Sequence, residues 1–128
     1  MKLLLDTCAF LWIVSEDARL SESARAAFRD PANDVLLSAV SAWEIMVKHA
    51  LGRLPLPDPA RDFVTCQRQA HRITTLPLEE TAAALLPSLP MLHRDPFDRM
   101  LICQALDSGA VLLTPDAHIR QYPARTLW

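Results

Sequence analysis

Three short, uninterrupted apolar runs constrain this chain most: Leu3-Leu4-Leu5, Val35-Leu36-Leu37 and Val111-Leu112-Leu113, each stopping at a polar residue, Asp6, Ser38 and Thr114. A run this brief, apolar on every side, reads as a strand buried on both faces of a sheet. Each run precedes a stretch of helical character: residues 8–14, residues 39–51, and a short turn after Pro115. Strand-then-helix alternation predicts a mostly parallel sheet with helices on both faces, an α/β fold. Further helices are expected at 21–29, 59–70, 79–86 and 96–107, and a further strand at 73–76.

The chain has 128 residues, 51% of them hydrophobic, which suits one domain over 1–128 with one core. A net charge of −2 beside that apolar content excludes a disordered chain, and no run approaches the roughly 18 apolar residues of a membrane span. The apolar stretch after Lys2 stops at Asp6, too soon for a secretion signal, so a cytoplasmic protein is expected. Cys8, Cys66 and Cys103 are odd in number and far apart, and are expected to be reduced and buried. The only glycines, Gly52 and Gly109, follow helical stretches as left-handed caps, which removes the Gly-rich phosphate loops of nucleotide-binding folds. Between Lys48 and Arg72, five Lys/Arg oppose two acids, Asp58 and Asp62. With Phe63 the single Phe, Tyr or Trp among the charges, this segment reads as a solvated helix face rather than a phosphate-binding strip.

The acids carry more information. Asp6 follows the first strand, at the sheet edge where open α/β folds bind ligands, although Asp at such a junction is equally a preferred helix N-cap. Glu44 lies in Ala39-Val40-Ser41-Ala42-Trp43-Glu44-Ile45-Met46-Val47, a helix apolar around most of its circumference. It reads either as the partner of a capping box opened by Ser41, with Lys48 as its ion pair, or as a carboxylate near the core that needs a donor or a metal. In His93-Arg94-Asp95-Pro96-Phe97-Asp98-Arg99, Asp95 is a ready N-cap before proline, while Asp98 heads a helix apolar on nearly all sides. Asp116, after the last apolar run, repeats the pattern of an acid past a strand end, or begins a helix.

A parallel sheet gathers such helix starts along one edge, so Asp6, Glu44, Asp98 and Asp116 are expected to converge. Several carboxylates with no Cys or His in a matching ligand pattern suit Mg²⁺ or Mn²⁺, and metal-assisted phosphodiester hydrolysis is the chemistry that follows. Lys48, Arg94 and Arg99 are near enough in sequence to assist at the phosphate.

The chain resembles a PIN domain, and among PIN domains the VapC toxins of bacterial type II toxin–antitoxin modules. The resemblance rests on Leu3-Leu4-Leu5-Asp6-Thr7, Ser38-Ala39-Val40-Ser41-Ala42-Trp43-Glu44-Ile45, His93-Arg94-Asp95-Pro96-Phe97-Asp98-Arg99 and Leu113-Thr114-Pro115-Asp116, and covers essentially the whole chain. It implies a Rossmann-like α/β/α sandwich with four to five strands and a ribonuclease dependent on Mg²⁺ or Mn²⁺. It also implies a homodimer and a VapB antitoxin with which it forms a hetero-oligomer. Residue by residue, Asp6, Glu44, Asp98 and Asp116 match the family's four acids as catalytic and metal-binding residues, with Asp95 as an alternative third position. Thr7, Arg99 and Lys48 are further candidates. Two other readings stand beside it. A receiver-like domain phosphorylated on an acid lacks a late lysine here, the only lysines being Lys2 and Lys48. A PIN-like module that binds RNA or a partner without cleaving has no reason to keep the full acidic set.

Overall fold

The computed structural model describes residues 1–57 and 59–128; Asp58, one of the two acids in the Lys48–Arg72 segment, lies outside the described residues. In chain order the elements are β1 (Lys2–Leu5), α1 (Thr7–Val14), α2 (Glu22–Arg29), β2 (Asp34–Ser38), α3 (Ala39–Ala50), α4 (Ala60–Ala70), β3 (Thr74–Leu76), α5 (Glu80–Ala83), α6 (Pro96–Ser108), β4 (Val111–Leu113) and β5 (Thr126–Leu127). Single 3₁₀ turns occupy Leu86–Ser88 and Ile119–Gln121. The five strands form one sheet in the order β3-β2-β1-β4-β5, parallel at every pairing.

Period-two alternation divides the core. Leu3 and Leu5 pack with Phe10, Ile13, Leu37 and Ile45 on one face, while Leu4 packs with Leu101, Ile102, Leu112 and Ile119 on the other. The continuous apolar runs are therefore what a sheet covered on both sides requires, and the three-layer sandwich follows.

Register then sets up the functional edge. Leu5 pairs with Leu37 on one side and with Leu113 on the other, so Asp6, Ser38 and Thr114 emerge side by side at the C-terminal edge. Because the strand order reverses direction between β1 and β4, Asp6 and Thr114 flank the crevice where doubly wound sheets bind their ligands.

Several expectations need correction. The helix expected at 79–86 covers only Glu80–Ala83, because Pro87 has no N–H to give and pushes Leu86 away from α geometry. β5 was not anticipated: two residues make no periodic signal, and only its pairing with β4 defines it. Cys66 is exposed, not buried, since α4 turns Val64 inward and Cys66 outward; Cys8 is half-buried, Cys103 is buried, and all three are free thiols. Gly52 (φ 73°) and Gly109 (φ 69°) do adopt the left-handed conformation, Gly109 as the C-cap of α6. Arg61 and Arg72 are exposed as the solvated face requires, but that reading does not hold for the whole segment: Lys48 and Arg68 are half-buried, and Lys48 and Arg53 line a cleft at the sheet edge. Among the described residues no helix is long and apolar enough to cross a membrane.

Candidate active site

α1 begins one residue after β1, and Asp6 joins them in extended conformation. Its Oδ1 accepts from the Ala9 N–H at 2.6 Å and its Oδ2 accepts from the Thr114 hydroxyl. Asp6 is thus an N-cap, and it also faces a cleft, so the two readings of this residue coexist. The next residue, Thr7, donates from Oγ1 to Glu44 Oε1 at 2.6 Å and contacts Ser41 Oγ at 3.0 Å.

α3 is capped by Ser38, whose Oγ accepts from the Val40 N–H (2.9 Å) and donates to Gln104 on α6. Ser41 lies inside the helix, buried, with its hydroxyl turned to Thr7; the capping box that Ser41 and Glu44 would have formed does not exist. Glu44 is instead held by Thr7 and, one turn on, by Lys48, whose Nζ donates to Oε2 at 2.5 Å.

Asp95 caps α6 by accepting from the Asp98 N–H at 3.0 Å, with Pro96 at the first helical position, as its sequence context requires. This leaves the Asp98 carboxylate free to turn toward His93, whose Nε2 lies 2.8 Å from Asp98 Oδ2. His93 is fixed at its backbone N–H by the Tyr122 hydroxyl oxygen (2.9 Å), and its ring stacks on His118 at 5.1 Å with an interplanar angle of 5°. Asp116 donates its backbone N–H to Thr114 Oγ1 and accepts from the His118 N–H. His93, Asp98 and Asp116 each offer an atom within 4.8 Å of the others.

A cleft of about 530 Å³ brings Asp6, Thr7, Glu44, Lys48, Asp95, Asp98 and Asp116 together, with Arg53 at its wall. Arg94 and Arg99 instead line a neighbouring hollow of about 220 Å³ beside Trp43. Consecutive residues on a helix point about 100° apart, which turns Arg99 away from the cleft that Asp98 faces. Sequence reasoning missed His93, Arg53 and the Thr114–Asp6 bond. His93 stands five residues before Asp98 across a helix start, a spacing that carries no helical signal, and the Thr114 bond spans 108 positions.

Five carboxylates thus meet two cationic side chains. Burial pushes the Asp6 carboxyl up to about 7, repulsion from Asp98 and Asp116 adds to this, and the bonds from Thr114 and Ala9 only partly offset it. Burial likewise raises Asp98 to about 6, aided by Asp95 and Glu44 and opposed by the bond to His93. For Lys48, burial pulls the ammonium down, yet the bond and the charge of Glu44 outweigh it and hold it above its usual value. When ionised, this centre is short of positive charge, and its donors are chiefly carboxylate oxygens. The residues fit a hard divalent cation, with Asp6, Glu44, Asp98 and Asp116 able to hold it.

Fold and site define a Rossmann-like α/β domain with an acidic centre at the switch point of its parallel sheet. The family model of the PIN domain matches residues 3–125, and the chain belongs to the PIN domain family. Over 120 residues, 93% of this chain and 90% of the relative, it is 28% identical to Ribonuclease VapC22 of Mycobacterium tuberculosis. It is 50% identical to Ribonuclease VapC16 of the same bacterium over 40 residues, a match spanning only 31% of this chain and 28% of that relative. Among solved structures, VapBC2 from Rickettsia felis, bound to a DNA fragment from their promoter, shares the fold with a TM-score of 0.73 over 99% of this chain and 98% of that one, at 12% identity.

Proposed function

We propose that this chain is an endoribonuclease dependent on Mg²⁺ or Mn²⁺, the toxin of a VapBC type II toxin–antitoxin module. The observation that carries the proposal is the convergence of Asp6, Asp98 and Asp116 with Glu44 in one cleft that lacks matching positive charge. The names of the two mycobacterial relatives support the nuclease, and the solved VapBC complex supports a VapB antitoxin as partner. A homodimer that joins the antitoxin in a hetero-oligomer, and a cytoplasmic location, belong to the same reading.

Asp6, Glu44, Asp98 and Asp116 are its catalytic and metal-binding residues. A bound divalent ion supplies Lewis-acid activation of water and neutralises the charge that develops on the phosphodiester during in-line displacement. The chain's residues prepare for this. Asp6 and Asp98, whose carboxyls burial and neighbouring carboxylates push up, would lose their protons more readily beside a cation, which favours the ionised form. Thr7 and Lys48 fix the two oxygens of Glu44, and each oxygen keeps a further lone pair for a cation. Both Asp95 and Asp98 line the cleft, and Asp98 is taken as the third acid because its carboxylate, unlike that of the helix-capping Asp95, groups with Asp116. Arg53, exposed at the cleft wall, is suited to meet the RNA backbone.

The test is cleavage of a mixed RNA pool by the purified chain with Mg²⁺ or Mn²⁺, with EDTA, and with Asp6→Asn and Asp98→Asn alongside. Metal-dependent cleavage lost in both variants is expected. Cleavage that persists in EDTA, or in both variants, would overturn the proposal.

A further inference from the structure

The cation site proposed above is built from carboxylates, yet an imidazole outside the residues that line the cleft, His93, lies beside two of them. His93, Asp98 and Asp116 place one donor atom each within 4.8 Å of one another, the separation expected of atoms that share one ion. The ring is not free to wander. Its backbone N–H is held by the Tyr122 hydroxyl, its face lies flat on His118, and its Nε2 points at Asp98 Oδ2 from 2.8 Å. His118 is itself tied to Asp116 through its backbone N–H at 2.8 Å, so the stacked pair and the two acids form one braced unit. The stack on His118 and the bond to Asp98 are what orient the ring.

We infer that His93 Nε2 is a direct ligand of the cation held by Asp98 and Asp116, and that the centre therefore prefers a first-row transition cation to Mg²⁺. In the metal-free protein Nε2 and Asp98 Oδ2 are joined by a hydrogen bond at 2.8 Å, and a cation held by both atoms would replace that bond. Imidazole nitrogen binds the first-row transition ions well and Mg²⁺ poorly, whereas a purely carboxylate site distinguishes them less. This rests on the reading of the cleft as a cation site, and goes beyond it by assigning a nitrogen ligand and a metal preference.

Pulsed EPR of the full chain loaded with Mn²⁺ tests it without reference to RNA cleavage. The expected result is modulation from a directly bound imidazole ¹⁴N, replaced by the ¹⁵N pattern when histidine is isotopically labelled. In His93→Gln the nitrogen signal should vanish and Mn²⁺ affinity fall about tenfold, with Mg²⁺ affinity changed less than twofold, while His118→Gln keeps the signal. Mn²⁺ bound with no nitrogen coupling in the unaltered protein overturns the ligand and leaves the cation site standing. A nitrogen signal that survives in His93→Gln and disappears in His118→Gln overturns it equally. Failure of Mn²⁺ to bind at all, with binding no stronger than in Asp98→Asn, overturns the ligand and the cation site together.

Discussion

Asp6 and Glu44 line the same cleft and are buried to nearly the same degree, 4% and 3% exposed, yet the chain treats them in opposite ways. Glu44 has a cation of the protein's own: Lys48, half in solvent, reaches back one turn to its Oε2 while Thr7 holds Oε1. Asp6 receives only neutral donors, the Ala9 N–H and the Thr114 hydroxyl, and faces Asp98 and Asp116. One carboxylate is therefore compensated from within, and the other waits for charge from outside. Buried charge needs a partner, and where the fold withholds one, the site is the place for a ligand.

Substitutions should separate the two corners. The largest effect is expected from Asp6→Asn, which should lower metal-dependent RNA cleavage about a thousandfold, yet keep the Ala9 cap and leave the metal-free protein at pH 8 at least as stable as the parent. Cleavage rates and urea melts of the same preparation check both halves, and a loss of stability at pH 8 would break the comparison.

The pH dependence of the metal-free fold comes next. Because the folded Asp6 carboxyl titrates near 7, above its ordinary 3.8, folding favours its protonated form. Its contribution is fully present below about pH 4 and fades as pH rises through about 7, by up to about 4 kcal/mol. Asp98, near 6, acts in the same direction. Melting temperatures across this range should fall with pH, less so in Asp6→Asn, and added Mn²⁺ should raise them more at pH 8 than at pH 5.

Lys48→Met removes the cation from the compensated corner and is expected to destabilise the metal-free protein by about 2 kcal/mol, less than for a fully buried pair because Lys48 is partly in solvent. Saturating divalent ion should restore part of that loss, as read from denaturant midpoints. Smallest are the hydroxyls. Thr114→Val strips a hydrogen bond from the uncompensated acid and the acceptor of the Asp116 N–H, and should cost about 1–2 kcal/mol above pH 7, whereas Thr7→Val should cost less, since Lys48 still holds Glu44. Equal losses in the two variants would show that Lys48 compensates nothing.

Much of this was legible beforehand. The apolar runs marked β1, β2 and β4, the residues that end them marked the functional edge, and Asp95-Pro96 marked the start of α6 with its cap. Two-residue β5 was invisible because a strand that short has no pattern of its own. Of the two readings of Glu44 the capping box with Ser41 fails, because a capping motif and an interior serine look alike in sequence and the helix starts at Ser38. His93 carries no ligand signal in the sequence, because its approach to Asp98 runs from a loop into a helix and has no fixed spacing.

The sequence by itself determined the elements, the double-sided burial of the sheet and the appearance of acids at successive strand ends, because these follow from local hydrophobic pattern and backbone chemistry. Tertiary structure alone decided that Asp6 sits between Thr114 and two other acids, that Glu44 is answered by Lys48 and Thr7, and that His93 joins the centre. Desolvation and Coulomb energy depend on distance through space. Here those distances are fixed by strand order, register and helical phase, which join residues 6, 44, 93, 98 and 116 only once the chain has folded.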